Sequence, residues 1–336
     1  MGADASGRSS VTVSVALGTH NGAAYLRRQL ESILAQSHQV AQIVLSDDAS
    51  TDGTVEIAEQ LISERRATGG APELVVLRNT NALGVTANFE QALSACTGDL
   101  IVLCDQDDVW HEDRVSSAVG QFRGRPGIEL VHADARLVDA DGAPLGQTLF
   151  ETLHVSDLDL AAERDGRAFD VLLRRNVVTG ATTMVARGLV ERARPFPASW
   201  VHDEWLAMIA AIGGGVSVVE RPIVDYRQHG ANQIGAESLG LAGKIGRLRT
   251  PRTERNARLL ARAEALALRV RSIVPPPGDH PAAAVEGKLA HEQVRSSYPQ
   301  ARWRRLVPVI REARTGRYRR YGLGIQDIVR DLVQPV

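Results

Sequence analysis

Between Val11 and Cys104 the chain repeats one beat, a short apolar run followed by a segment with helical spacing. "VTVSVAL" leads into "AAYLRRQLESILAQ", "QIVLS" into "TVEIAEQLISER", "LVVL" into "VTANFEQALSA", and "DLIVLC" closes the series. Four such units predict an α/β fold built on a parallel, doubly wound sheet. Ligands of sheets of this kind gather at the carboxyl ends of the strands. Those ends read "GTHNG", "SDDAST", "RNTN" and "DQDD", so polar residues far apart in sequence are expected along one edge.

From Gly127 the order changes. "IELVHADARLVD" with "ADGAP" reads as a strand and turn, "RAFDVLLRRN" as a helix, "GATTMVAR" as a strand, "DEWLAMIAAIG" as a helix, and "VSVVERPIVDYRQHGAN" follows. This predicts a mixed second half on a parallel first half, split as 11–126 and 127–239 after a flexible N-terminus at 1–10. Residues 240–336 read as a basic helical appendage, with "RNARLLARAEALALRVR" and "WRRLVPVIREAR" separated by the linker-like "SIVPPPGDHP".

A formal net charge of −1 hides that appendage. From Lys244 to Arg320 nineteen Lys and Arg stand against six Asp and Glu. Peripheral contact with anionic lipid at the inner membrane face is one expectation, with Trp303 and Tyr318 interleaved among the arginines. A solvated face, or a homo-oligomer through these helices, explains the charge equally well. Nucleic acid is not expected, since no recognition motif accompanies it. Cys96 and Cys104 form no metal or disulfide spacing, and neither a leader-like N-terminus nor eighteen consecutive apolar residues occurs. The expected compartment is the cytoplasm.

The polar strand ends carry the chemistry. Asp47 and Asp48 close one strand, before a turn in which Asp52 or Thr54 is expected to cap the next helix. A carboxylate there can accept from a nucleobase imide or a ribose hydroxyl. Arg78, Asn79 and Asn81 precede a helix start that favours anions, which makes them candidate phosphate donors. In "LCDQDDVW" three carboxylates crowd the end of an apolar strand, an arrangement that needs a positive partner. Asp105 and Asp107 project to the same side of an extended strand end and can address one Mg2+ or Mn2+. Asp108 reads as a cap for a helix starting near His111. Trp110 is open between packing under the loop and facing an acceptor. In "HDEW", Asp203 and Glu204 open a helix where an acid either complements the dipole or deprotonates a hydroxyl. "YRQHG" adds Arg227 and His229.

Taken in order, "VSVALGTHNGAAYLRRQLESILAQS", "IVLSDDASTDGT", "NALGVTANF", "LCDQDDVWHEDRV", "TGATTMVAR", "HDEWLA" and "YRQHGAN" resemble the inverting family 2 glycosyltransferases of the GT-A fold. The forms DQDDVW, HDEW and YRQHG are similar to those of bacterial rhamnosyltransferases of surface-polysaccharide synthesis. The resemblance implies that residues 11–126 bind the nucleotide and 127–239 the acceptor. Gly18, Thr19, His20 and Asp48 would hold the nucleobase, Asp105 the ribose, and Asp107 the metal. Asp203 would be the general base, with Trp205 near the acceptor. Arg227 and His229 would lie by the diphosphate and metal.

These expectations combine into a metal-dependent transfer from a nucleotide sugar, dTDP-L-rhamnose by resemblance, to a glycan or lipid-linked acceptor. A UDP-hexose or UDP-N-acetylhexosamine donor is the alternative within the family. A non-catalytic nucleotide-sugar or glycan-binding module is the alternative outside it. A sugar nucleotidyltransferase would need a glycine-rich loop with a following basic pair, which "VALGTHNGAAYLRRQL" lacks.

Overall fold

Strand β1 (Val13–Thr19) forms the spine of the sheet, pairing in parallel with β2 (Gln42–Asp47) on one side and β4 (Leu100–Cys104) on the other, while β3 (Glu73–Arg78) extends β2. Helices α1 (Leu26–Leu34), α2 (Thr54–Thr68) and α3 (Val85–Ala95) make the crossovers. The burial follows from position in the sheet. Strands β2 and β4 are buried throughout because they are covered on both faces, whereas the edge strand β3 is half-exposed. The computed structural model describes residues 11–229, 251–273 and 278–335. The expectations for residues 1–10, for 240–250, for the last three residues of "YRQHGAN" and for the centre of "SIVPPPGDHP" lie outside the described residues.

The second half completes a mixed nine-stranded sheet of order β3-β2-β1-β4-β8-β6-β9-β5. Its elements are β5 (Val109–Trp110), α4 (Arg114–Gly124), β6 (Leu130–Val138), β7 (Pro144–Thr148), α5 (Leu149–Thr152) and α6 (Asp157–Arg164), then α7 (Ala168–Arg174), β8 (Met184–Ala186), α8 (Arg187–Ala193), α9 (His202–Ile212) and β9 (Val216–Arg227). Strand β8 is antiparallel to β4 and β6, β6 runs parallel to β9, and β7 hangs on β6. The architecture is the α/β, GT-A type expected.

Local chemistry corrects several boundaries. The strand expected over "GATTMVAR" shrinks to β8, because the hydroxyls of Thr182 and Thr183 turn back to the Thr179 carbonyl over 3.1 and 2.9 Å and wind Gly180–Thr182 into a 3-10 turn. Helix α2 has Gly53 (φ +84°) at its N-cap, and Asp52 accepts from the Thr54 amide at 3.1 Å. Helix α4 begins at Arg114 behind Asp113, so Asp108 is not its cap.

Chain contacts divide the protein into two compact units, one of Met1–Gly166 with Val178–Ala236 and the other of Arg167–Val177 with Glu237–Val336. Helix α7, expected within the sheet domain, therefore belongs with the C-terminal helices. There Phe169 meets His280 edge-on at 6.0 Å. The helices Arg252–Ser272 and Asp279–Ser296 pack as a pair, joined by Arg302–Arg314, Arg317–Tyr321 and Ile325–Val333. Arginine builds much of this interior. Arg295 pairs with Asp331 at 2.7 Å and Glu292 at 3.0 Å, Arg252 donates to the Arg295 and Tyr298 carbonyls, and Arg305 donates to the carbonyls of Pro299 and Gln334. Part of the basic excess is thus structural. Tyr318, expected among surface arginines, is 2% exposed and donates to Asp331 at 2.7 Å. Among the described residues no helix is long and apolar enough to cross a membrane.

Candidate active site

The register sets Thr19 beside Asp47 and Asp47 beside Arg78, while Leu17 pairs with Cys104, so the carboxyl ends of β1 to β4 form one edge. Asp47 organises it. Its carboxylate accepts from the Thr19 hydroxyl at 2.9 Å and from the amide and hydroxyl of Ser50 at 2.9 and 2.5 Å. Asp48 accepts from the amides of Leu83 (2.6 Å) and Gly84 (3.0 Å), fixing the loop before α3. Gly84 holds φ at +82°, a conformation that side chains disfavour. Gly18 is needed for space, since a Cβ there would sit 2.9 Å from Phe89.

His20 is exposed, and its Nδ1 lies 2.6 Å from the Asp48 carbonyl. A carbonyl only accepts, so Nδ1 carries the proton. Gln106, which the sequence reading passed over, takes both backbone groups of His20. Its Oε1 accepts from the His20 amide at 2.8 Å and its Nε2 donates to the His20 carbonyl at 3.0 Å. Only its place inside "DQDD" signalled it.

The acidic loop has three distinct carboxylates. Asp107 Oδ2 lies 2.7 Å from His229 Nε2, and the His229 ring stacks on Tyr25 with centroids 4.9 Å apart. Asp108 is buried and accepts from the Arg227 amide at 3.0 Å. Burial first, then the charges of Asp107 and Asp105, push its carboxyl well above the ordinary range. Asp105 keeps partial exposure, yet burial followed by the charges of Asp107 and Asp203 raises it to about 7. Residues near 105 and 203 thus share one electrostatic site although about a hundred residues separate them.

The positive partner that three crowded acids demand is partly internal. Arg114 is fully buried, donates to the Leu103 carbonyl at 3.0 Å and lies 3.8 Å from the centre of the Trp110 ring. Burial lowers it to about 10, against the opposing charges of Cys104, Asp108 and Asp105. Nothing local in "HEDRV" announces a buried cation.

Asp203 stands in the first turn of α9. Its Oδ2 accepts from the Gly180 amide and its Oδ1 from the Glu204 amide, both at 2.7 Å. Both oxygens are oriented, and the carboxylate is nearly buried. Its neighbour His202 is buried and stacked on Phe89, with centroids 3.9 Å apart and planes at 11°. Burial lowers His202 to about 3.

Several expected site residues are committed elsewhere. Arg78 is exposed and pairs with Glu56 and Glu59 of α2 at 3.0 and 3.1 Å, away from the edge. Asn81 lies exposed on the loop before α3. Arg227 is buried, its guanidinium donating to the carbonyls of Asp107 (2.7 Å) and Ala140 (2.7 Å), with Tyr25 5.1 Å away. It clamps the acidic loop. Trp110 packs in the core beneath that loop. Trp205 is wholly buried and donates to the Ala193 carbonyl at 2.8 Å. Glu204 is half-buried beside Asp203.

The donor set at Asp107 fits a hard divalent cation, which takes one or two protein carboxylates and fills its remaining positions with phosphate and water. Among the described residues no group of three or more His, Cys, Asp or Glu is gathered as a ready-made cage. Asp107 and His229 would hold such an ion, beside Asp105.

Residues 14–172 match the model of the family described as Glycosyl transferase family 2. An uncharacterised protein of Mycobacterium tuberculosis is 27% identical over 220 residues, covering 63% of this chain and 57% of that protein. The chain thus spans little more than half the length of that relative. A dTDP-rhamnosyl transferase of Shigella flexneri is 31% identical over 108 residues, 31% of this chain and 35% of that protein. Among solved structures, Staphylococcus aureus TarS with UDP-GlcNAc superposes with a TM-score of 0.55 at 17% identity, covering 84% of this chain and 71% of that one. A mannosyltransferase of Pyrobaculum calidifontis with GDP-Man and Mn2+ superposes at 0.52 and 18% identity, covering 95% and 78%.

Proposed function

We propose that this chain is an inverting glycosyltransferase that moves a sugar from a nucleotide-sugar donor to an acceptor hydroxyl. The observation that carries this reading is that Asp203, on α9 with both oxygens held by backbone amides, is close enough for its charge to raise the Asp105 carboxyl at the end of β4. One carboxylate is held as a proton acceptor across from others suited to a cation-bound diphosphate. The matched family segment, 14–172, covers nearly all of the nucleotide half, and structures of similar fold hold UDP-GlcNAc or GDP-Man with Mn2+.

In this mechanism the β1, β2 and β3 ends receive the nucleoside, with Gly18 giving close backbone approach and the Asp48–Gly84 bonds shaping the loop. Asp107 and His229 would hold a Mg2+ or Mn2+, which would supply positive charge against the departing nucleoside diphosphate. Asp203 takes the proton from the acceptor hydroxyl as that oxygen attacks the anomeric carbon. The carbon–oxygen bond to the diphosphate breaks as the new one forms, and the configuration inverts.

For the donor we assign dTDP-L-rhamnose, supported by the motif forms and by the Shigella relative over 108 residues. A UDP-hexose or UDP-N-acetylhexosamine remains the rival donor. The acceptor is a glycan or lipid-linked glycan. A screen of nucleotide sugars with Mn2+ or Mg2+, read as nucleoside diphosphate release with and without acceptor glycans, tests the assignment. Acceptor-dependent release of dTDP supports it, and release of UDP alone transfers it to the rival donor. A protein that binds nucleotide sugars yet releases no diphosphate with any donor or acceptor is a binding module.

A further inference from the structure

The helix Arg302–Arg314 is amphipathic in an unusual sense, because its apolar face points to solvent. Arg305, Val309 and Glu312 are buried in the C-terminal unit. On the other side Trp303, Leu306, Val307 and Ile310 are 76%, 51%, 66% and 43% exposed. Their spacing of i, i+3, i+4 and i+7 gathers them into a stripe roughly 100° wide. Arg304 and Arg311 border the stripe on one flank, and both are exposed. The neighbouring helix Ile325–Val333, which packs on it, exposes Ile325, Val329 and Val333 at i, i+4 and i+8.

The charges around this surface have one sign. From Arg302 to Gln334 the acids are Glu312, Asp327 and Asp331, and all three are buried. Glu312 lies 2.7 Å from His291, and Asp331 pairs with Arg255 and Arg295. Arg302, Arg304, Arg311, Arg314, Arg319 and Arg320 remain exposed. Within Arg302–Gln334 burial has therefore withdrawn every acid and left the exposed charges of this stretch all positive.

We infer that this surface docks on an anionic lipid bilayer, with Trp303, Leu306, Val307 and Ile310 entering the headgroup boundary and the bordering arginines meeting lipid phosphates. An in-plane amphipathic helix combines these two features, an apolar face and a basic border. A second copy of the chain fits poorly. A two-fold contact places each patch on its own equivalent, so the arginines bordering one stripe would meet those bordering the other, and the stretch Arg302–Gln334 exposes no acid to answer them. The inference is independent of the sugar-transfer reading.

The test is co-sedimentation of the full chain with vesicles of phosphatidylcholine alone or with about 30% phosphatidylglycerol, at low and high salt. The intact protein is expected to bind the anionic vesicles at low salt, and much less to neutral ones. Trp303→Ser with Val307→Ser should weaken binding about tenfold or more. Arg304→Glu with Arg311→Glu should weaken it by at least about 25-fold, since each basic residue near such a surface contributes about fivefold. All four side chains are exposed, and circular dichroism confirms the fold of each variant. Absence of binding to anionic vesicles at low salt overturns the inference, as does binding indifferent to both pairs of substitutions. A dimer in solution that the serine pair converts to monomer also overturns it, and assigns the stripe to a second copy.

Discussion

The Arg114 guanidinium lies 3.8 Å from the centre of the Trp110 ring, so a cation buried on an aromatic face underlies the acidic loop Asp105–Asp108. Removing it leaves Asp105 and Asp108 without their internal counter-charge and frees the Leu103 carbonyl. Arg114→Met is expected to cost about 3 kcal/mol of stability. Arg114→Lys should recover only part, since an ammonium cannot both stack on Trp110 and present the planar fork. Urea midpoints measure both, and a loss below about 1 kcal/mol for the methionine variant would contradict this role.

Asp203→Asn removes the proton acceptor while keeping its shape. Turnover is expected to fall by about 10²- to 10⁴-fold, the range of general-base contributions. Nucleotide affinity should change little, because the Gly180 and Glu204 amides from which Asp203 accepts lie outside the β1–β3 ends assigned to the nucleoside. Calorimetric titration with nucleoside diphosphate, beside diphosphate-release rates, separates the two quantities. Turnover within tenfold of the parent excludes Asp203 as the base.

Asp107→Ala should weaken divalent-ion-dependent nucleotide binding by about tenfold or more, whereas binding without added ion changes less. His229→Ala, which removes the group 2.7 Å from Asp107, should fall in between. Chelation should stop turnover in the parent, and added Mn2+ or Mg2+ should restore it. Equal nucleotide affinity of parent and Asp107→Ala across an ion titration would reject the metal assignment.

Burial beside Phe89 lowers His202 to about 3, from an ordinary 6.5. The unfolded chain therefore takes up the proton first on acidification. The stability that neutral His202 supplies is fully present above pH 6.5 and is lost progressively as the pH falls toward 3. His202→Phe keeps the stack without a titrating group, and should flatten the acid limb of stability between those values. Urea denaturation at several pH values gives the slope; parallel slopes for parent and variant would remove His202 from that limb.

How legible the molecule was depended on whether a signal was local. The βα beat is local, and it led directly to β1–β4 and to the edge carrying Asp48, Asp105 and Asp107. The place of Asp203 in the first turn of a helix was legible in "HDEW", whereas its role as a base came only from the resemblance. Long-range pairing was silent in the sequence. Nothing in "RNTN" shows that Arg78 turns to Glu56 and Glu59, and nothing in "HEDRV" shows Arg114 under the loop. Trp110, Trp205 and Tyr318 look like binding aromatics in isolation, yet burial claims all three. Tyr25, stacked on His229, escaped notice because a tyrosine before a helix reads as packing. Helix α7 illustrates the same limit, since its helical period says nothing of which unit it joins.

Gln106 grips both the amide and the carbonyl of His20, and a Cβ on Gly22 would collide with the same glutamine side chain. The end of β1 and the end of β4 are therefore latched together by one side chain. On the proposed reading, the group that meets the nucleobase and the acids that meet the cation would sit on a shared frame, so replacing Gln106 would disturb both at once.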